Sequence, residues 1–226
     1  VYKNLIGLLY RSSPARVPVA GSVESIAGIT AQTLYDCHKA FYTPGNMCLT
    51  VVGDVDPQEV LRLAREVLPA GSGPAIPRDY GEEEDLTPHE KEKTVRMEVS
   101  MPTFLLGFKC APVYVYAGGD SNDPRAVKAA ILAETERLLK DGIDADYWIQ
   151  LQRANFGSTL KSLNSFESVA MSAVEGCFHG YDPFQFPEVY ESISRQDLLD
   201  FIRKNICEDR AALSAIYPKE EPSPCA

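Results

Sequence analysis

The chain has 226 residues, of which 45% are hydrophobic and 24% are charged, a composition typical of globular proteins and long enough for two modest domains. Asp and Glu number 32 against 22 Lys and Arg, so the formal net charge is −10. This acidic balance argues against binding to nucleic acid or anionic lipid, and no run approaches the roughly 20 apolar residues of a membrane-spanning helix.

Six cysteines are dispersed along the chain without a CxxC pair. A disulfide framework is expected mainly in much shorter secreted chains, so we predict reduced thiols and a cytoplasmic protein. The cysteines are Cys37, Cys48, Cys110, Cys177, Cys207 and Cys225.

Sequence patterns in the first part of the chain predict two helices, a strand and a third helix. Apolar residues at roughly helical spacing favour a helix within residues 1–10. Thr30 is suited to cap a helix over about Ala31–Tyr42. Met47–Val52 has the composition of a short strand, and the Asp-Pro pair at 56–57 begins another helix.

Residues 69–91 contain four prolines and the acidic run Glu82–Asp85, and they predict an exposed linker. We expect the acidic run to be solvated, because like charges without a rigid frame do not form a cation site. The chain then divides into residues 1–72, the C-terminal part of a first α+β unit, residues 73–91, an acidic linker rich in Pro and Gly, and residues 92–226, a second and related α+β unit.

The second unit predicts two strands, four helices and a last strand. Val95, Met97 and Val99 alternate with other residues in a half-buried strand, and Thr103–Lys109 forms the next strand. Gly118–Ser121 predicts a turn, because a phosphate loop would need a Lys-Ser/Thr ending. The helices are expected at about 123–142, 146–163 and 166–178 and after the cap Ser194, and the last strand at Ala211–Tyr217.

An offset of 164 residues relates two parts of the sequence. Capped helix, turn and strand recur in the same order and in one register, which favours duplication over chance. The matched pairs include Glu24 with Glu188, Ile29 with Ile193, Thr30 with Ser194, Gln32 with Gln196, Leu34 with Leu198, Asp36 with Asp200, and Leu49, Val51 and Val52 with Leu213, Ala215 and Ile216.

Several short stretches also match a known family pattern: Ala20–Ile26, Ile29-Thr30, Leu34-Tyr35, Phe41–Met47, Val51–Asp56, Leu163–Ser168 and Phe184–Ser194. In these stretches the chain resembles the insulinase/pitrilysin-type zinc metallopeptidases (inverzincins), the family that includes the mitochondrial processing peptidase subunits, and within it the bacterial cytosolic branch. The resemblance implies tandem related α+β domains, with helices on one face of a mostly antiparallel sheet and a ferredoxin-like core.

The same resemblance implies zinc chemistry for a parent protein. In the family two His of a His-x-x-Glu-His helix and a distant Glu bind Zn²⁺, and the motif Glu is the general base. These residues lie upstream of the stretch that corresponds to 21–26, so this sequence does not contain them, and we expect it to resemble the family's inactive, C-terminal domain. The family also carries a longer helical segment with substrate-binding residues where this chain has only Cys110–Asn122. Either that segment is deleted in this protein or the given sequence skips it, and in both cases the resemblance assigns no substrate-binding residue here.

None of the three histidines lies in a sequence pattern that indicates a catalytic or metal-binding site. The run 89–93, His-Glu-Lys-Glu-Lys, imitates HExxH but places a lysine where the second ligand belongs, and a cation opposes Zn²⁺ there. Cys177 and His179 lack a third ligand. His38 adjoins Cys37, but successive helical side chains point about 100° apart. We therefore predict no catalytic and no metal-binding residue, and substrate-binding residues stay unassigned.

The predicted function is that of the non-catalytic portion of an insulinase-type zinc peptidase. It would form chamber wall and bind extended peptide, with a catalytic half or a second subunit of the family as partner and with zinc only in the parent's upstream site. The alternatives are a catalytically inactive partner subunit of a paired peptidase and an unrelated protein-interaction module.

Overall fold

The computed structural model describes residues 1–68, 71, 77, 79, 83–110 and 114–219. Its helices are α1 (Tyr2–Leu9), α2 (Val23–Ala27), α3 (Ala31–Phe41), α4 (Pro57–Val67), α5 (Pro124–Asp141), α6 (Ala145–Ser162), α7 (Phe166–His179), α8 (Phe186–Ser192) and α9 (Arg195–Asn205). Its strands are β1 (Glu92–Met97), β2 (Thr103–Lys109), β3 (Tyr114–Asp120) and β4 (Ala211–Pro218).

The chain forms two compact units, each assembled from separate stretches. Unit 1 comprises Val1–Ser22, Asp79–Ile143 and Ser194–Ala226, and unit 2 comprises Val23–Arg78 and Asp144–Ile193. The division of the sequence into 1–72, 73–91 and 92–226 stays a prediction, because much of the proposed linker lies outside the described residues.

Unit 1 is organised around a four-stranded sheet with the order β1-β4-β2-β3. β4 runs parallel to β1 and antiparallel to β2, and β2 runs antiparallel to β3. Strand β4 is therefore interior, with a hydrogen-bonded neighbour on each side. The α+β class and the mostly antiparallel sheet predicted from the sequence are confirmed.

One face of this sheet holds the larger apolar core. Alternate residues of a strand point to the same face, so Phe104, Leu106 and Phe108 of β2 lie beside Leu213 and Ala215 of β4. All five are buried. Helix α5 covers this face with Val127, Ile131 and Leu132, and α9 packs beside α5.

Helix α1 covers the opposite face, whereas the resemblance had implied helices on one face only. Leu5, Leu8 and Leu9 pack against Ala212 of β4. The close approach depends on Gly107 in β2, because a Cβ atom there would lie 2.8 Å from Leu5 Cδ1.

The turn predicted at Gly118–Ser121 is wrong. Gly118, Gly119 and Asp120 are the last residues of β3 and pair with the start of β2. The hydroxyl of Thr103 donates to Asp120 Oδ1 at 2.6 Å, which ties the ends of the two strands together.

The described residues of unit 2 form helices, and none of the four strands found in the described chain falls within this unit. Helices α6 and α8 meet through Phe156, Phe186 and Tyr190, whose rings lie 5.3 to 6.2 Å apart. Gln152 Nε2 also donates to the Ile193 carbonyl at 3.3 Å. Among the described residues of this unit, only Gly176 is buried.

Candidate functional site

The three histidines lie in different settings. The ring of His38 stacks on that of Tyr42 with centroids 4.8 Å apart, His89 Nε2 lies 3.8 Å from the Glu90 carboxylate, and His179 is the last residue of α7. Within the part of the chain that the structure describes, no three His, Cys, Asp or Glu side chains come together as a group that could hold a metal ion. The described residues therefore do not fit the zinc site of the family, and the prediction of no metal-binding residue stays untested by experiment.

The run 89–93 is not helical. Lys91 Nζ donates to the carbonyls of Glu208 and Asp209, each at 2.9 Å, while Glu92 begins β1 and pairs with Arg125 at 2.7 Å. These side chains join β1 to neighbouring elements of unit 1.

The acidic run contains a buried carboxylate that the sequence interpretation missed. The prediction that the acidic run is solvated is wrong for Glu84, because its carboxylate lies 2.8 Å from Lys109 Nζ and both side chains are largely buried. It also accepts the backbone N–H groups of Arg11, Ser12 and Ser13 at 2.6 to 3.0 Å. The sequence contains one sign of this ion pair: Lys109 ends an apolar strand, and a cation buried there requires an anion close by.

Opposing effects set the ionisation of Glu84. Burial raises the pKa of its carboxyl, but the Lys109 ammonium and three backbone donors together outweigh burial and hold that pKa far below its ordinary value. The Lys109 ammonium also lies 4.9 Å from the centroid of the Tyr10 ring. This ion pair fixes the segment after α1 against the end of β2.

Four tyrosines cluster at strand β3, two in the strand and two in the α1 region, and within the described residues this strand has a neighbouring strand on one side only. The rings of Tyr2 and Tyr10 of the α1 region contact Tyr114 at centroid distances of 6.5 and 6.2 Å, and Tyr2 also contacts Tyr116 at 6.1 Å. The hydroxyls of Tyr2 and Tyr114 are hydrogen-bonded, which with burial raises the pKa of Tyr114 to about 12. Tyr116 is exposed on this outer strand.

The outer edge of β3 is a candidate binding edge. All of its residues after Tyr114 are exposed, and its only partner strand among the described residues is β2. An edge strand presents N–H and C=O groups that a further extended chain can pair with. The tyrosines on one face of this strand add amphipathic surface that the side chains of such a bound chain can contact.

The repeat predicted from the sequence has the same local structure in both copies. Helices α3 and α9 each have 11 residues, and their caps Thr30 and Ser194 accept a backbone N–H at 3.1 and 3.2 Å. Gln32 donates to Asp36, and Gln196 donates to Asp200, both at 2.9 Å. The matching helix ends and caps confirm the register of the repeat.

The two copies diverge at the strand. Each helix is followed by a short 3₁₀ turn, Pro44–Asn46 in one copy and Glu208–Arg210 in the other. The second copy then forms β4, whereas the predicted strand at Met47–Val52 pairs with no strand of the described chain. Met47 itself has extended backbone angles, φ −124° and ψ 149°.

The five cysteines within the described ranges are free thiols. Cys48 and Cys177 belong to two stretches of unit 2, and the interaction with the Cys48 thiol raises the pKa of the Cys177 thiol. Cys110 is buried at the end of β2, and burial raises the pKa of its thiol. Cys225 lies outside the described residues.

Comparison with known proteins finds similarity to M16 peptidases and zinc proteases. Residues 28–114 match the family model described as the peptidase M16 inactive domain. The chain is 26% identical over 277 aligned positions to the uncharacterized zinc protease YmfH of Bacillus subtilis, covering 97% of this chain and 64% of the relative. The alignment is longer than the chain, so the relative carries additional residues inside the matched region.

Solved structures share the fold. An M16-like peptidase of Alicyclobacillus acidocaldarius matches with a TM-score of 0.86 at 21% identity, covering 96% of this chain and 65% of the other. A peptidase M16 inactive domain of Pseudomonas fluorescens matches with a TM-score of 0.76 at 14% identity, covering 100% and 66%. The chain thus spans about two thirds of the length of these proteins. Among the described helices, none has the length and apolar character needed to span a membrane.

Proposed function

We propose that the chain is a member of the insulinase-type (M16) peptidase family and is the non-catalytic portion of a zinc peptidase, forming chamber wall and binding extended peptide. The similarity to the peptidase M16 inactive domain and to a zinc protease supports this proposal, and the 226 residues contain no His-x-x-Glu-His motif. Zinc, when bound in the catalytic half, activates water for peptide hydrolysis. This chain contributes binding and leaves the hydrolytic step to its partner.

The open edge of β3 is the observation that carries this proposal. A substrate segment in extended conformation pairs with the edge, so main-chain hydrogen bonds give affinity without strict sequence preference. Tyr116 on one face and Val115 on the other, both exposed, contact alternate side chains of the bound peptide. Binding of this kind suits a protein that holds polypeptides of different sequence in the same extended conformation.

A second candidate is a catalytically inactive partner subunit of a paired peptidase. Unit 2 favours this second candidate, because its many exposed apolar side chains form a surface suited to binding a protein partner. Both candidates require a polypeptide that carries the zinc site, either as another part of the parent or as a separate subunit. They differ in whether that polypeptide belongs to the same chain, which the coding sequence upstream of Val1 decides.

We place this function in the cytoplasm. The dispersed free thiols of Cys37, Cys48, Cys110, Cys177 and Cys207 support a reducing compartment. Alkylation of protein from lysed cells tests this placement, which requires these thiols to be labelled without prior reduction.

Peptide binding is tested with the chain alone. A fluorescein-labelled, unstructured peptide rich in Val and Thr should show saturable anisotropy, and peptide addition should slow amide exchange in β3 but not in the interior strand β4. The variants Val115→Ala and Tyr116→Ala should weaken binding, while Tyr181→Ala, which removes an exposed tyrosine of unit 2, should not. Binding without protection of β3 would contradict the proposed edge.

A further inference from the structure

We propose that a pocket between helices α6 and α8 of unit 2 binds the carboxyl terminus of a peptide whose last side chain is apolar. The pocket has a volume of about 460 Å³, which is within the usual range for sites that bind small ligands. It shares no residue with strand β3. The choice of a peptide as the ligand rests on the proposed function, whereas the chemistry of the pocket does not.

Side chains from one side of each helix form this pocket. Arg153, Phe156 and Gly157 are three and four residues apart in α6, so they lie on the same side of that helix. Tyr190 and Glu191 line the pocket from α8. The pocket thus combines an aromatic wall with one charged side chain from each helix.

The aromatic wall is held in place by contacts within unit 2. The rings of Phe156 and Tyr190 meet edge to face with centroids 5.8 Å apart, and Phe186 packs against both. The hydroxyls of Tyr190 and Thr159 are hydrogen-bonded at 3.2 Å, which fixes the outer end of the tyrosine ring. Phe156 and Tyr190 are only half-buried, so each keeps surface for a ligand. A rigid aromatic surface binds an apolar side chain with little loss of conformational entropy.

Gly157 keeps the pocket open at a cost to its own helix. Glycine inside a helix is less favourable than alanine, because it loses more backbone entropy on folding. Packing within the described chain does not require a glycine here, since a Cβ atom at Gly157 would meet nothing within 4 Å. A larger side chain would occupy the pocket that this residue lines. A ligand that needs this space accounts for the glycine.

The charges at the pocket favour a carboxylate. Arg153 pairs with no acidic side chain of the described chain, so its guanidinium is available to a ligand. A guanidinium binds a carboxylate through two parallel hydrogen bonds. Glu191 has no basic partner within the described ranges, and its carboxylate can accept the last N–H group of a bound peptide. It also repels a phosphate dianion more than the singly charged carboxyl terminus.

Peptide acids and amides test the proposal on the full chain. The probe is a fluorescein-labelled Gly/Ser peptide that ends in Phe, with a free or an amidated carboxyl terminus, and anisotropy measures binding. We expect the acid to bind about tenfold more tightly than the amide, because the amide loses the charged hydrogen bonds. Arg153→Gln should abolish this preference. The matched control Arg65→Gln, at an exposed arginine of α4, should retain it.

A second pair of variants tests the space beside the glycine. Gly157→Leu should prevent binding of the acid by filling the pocket, whereas Ser158→Leu, at the next and exposed position of α6, should not. Unlabelled N-acetylphenylalanine should displace the probe.

Four results would overturn the inference: no saturable binding, equal binding of acid and amide, equal effects of the two arginine variants, or displacement by phenylalanine but not by N-acetylphenylalanine. The last result would assign the pocket to a free amino acid. Val115→Ala and Tyr116→Ala should leave binding of this probe unchanged, so its failure is distinguishable from failure of peptide binding at β3.

Discussion

Leu49 and Leu213 occupy equivalent positions in two copies of one helix–turn–strand motif, yet Leu213 is 1% exposed and Leu49 is 66% exposed. The caps, the helix lengths and the 3₁₀ turns agree between the copies. What separates the two leucines is the sheet around them, because β4 has strands on both sides and Met47–Val52 has none among the described residues.

The same substitution should therefore have different effects at the two positions. Leu213→Ala removes a buried side chain and should lower the free energy of unfolding of unit 1 by about 2–5 kcal/mol. Leu49→Ala in the chain alone should change stability by less than about 0.5 kcal/mol, as at other exposed positions. Urea unfolding monitored by amide exchange in each unit measures both, and equal effects would contradict the assignment.

The packing of α1 on the sheet gives a second prediction. Gly107→Ala would place a methyl group 2.8 Å from Leu5 Cδ1, so we expect a loss of about 1–3 kcal/mol from overpacking. Gly119→Ala, in the neighbouring strand, meets nothing within 4 Å and should be close to neutral. Because the added methyl group occupies space that Leu5→Ala vacates, the double variant Gly107→Ala/Leu5→Ala should lose less stability than the sum of the two single variants, and additive losses would show that the strain lies elsewhere.

The buried ion pair gives a prediction with a defined pH dependence. Glu84→Gln leaves the Lys109 ammonium buried without its anion and should cost about 3–5 kcal/mol at neutral pH. The folded-state pKa of Glu84 lies below its ordinary value of 4.5, so its contribution to stability is complete above pH 4.5 and decreases as the pH falls below that value. The difference in unfolding free energy between the two proteins should shrink accordingly.

The control for this variant is Glu98→Gln, which removes one partner of the exposed Glu98–Lys219 pair. Exposed ion pairs contribute little, so this substitution should leave the urea midpoint unchanged. A pH-independent difference for Glu84→Gln would indicate that the hydrogen bonds of Glu84, and not its charge, stabilise the fold.

The interaction between the Cys48 and Cys177 thiols of unit 2 predicts a specific crosslink. Oxidised glutathione should convert the Cys48 and Cys177 thiols to one disulfide by thiol–disulfide exchange, releasing two molecules of reduced glutathione for each disulfide formed. Mass spectrometry of unreduced peptides should find these two cysteines linked, and Cys177→Ser should abolish the link while Cys37→Ser should not. Separate glutathione adducts on both cysteines, without a link, would place the two stretches apart.

Local features of the fold were predictable from the sequence because they depend on residues close together in the chain. The predicted caps Thr30 and Ser194 and the predicted helix start Asp56 each accept a backbone N–H group, and Asp197 completes a capping box with Ser194. Strand β2 has the predicted bounds, Thr103–Lys109. Each of these signals lies within a single element.

The features that were missed depend on contacts between distant segments. Gly118 looked like a turn residue, but it is required in β3 because a Cβ atom there would lie 2.3 Å from Leu105 Cδ2. Glu84 looked solvated, but its partners Arg11, Ser12, Ser13 and Lys109 belong to other elements of unit 1. Local patterns of apolar and charged residues do not show which distant segments will contact Gly118 and Glu84.

Amide hydrogen exchange at Leu49 and Leu213 tests the central claim most directly. In the chain alone, the Leu213 amide should be among the slowest to exchange, while the Leu49 amide should exchange at close to the unprotected rate. Strong protection of the Leu49 amide in the chain alone would contradict the account.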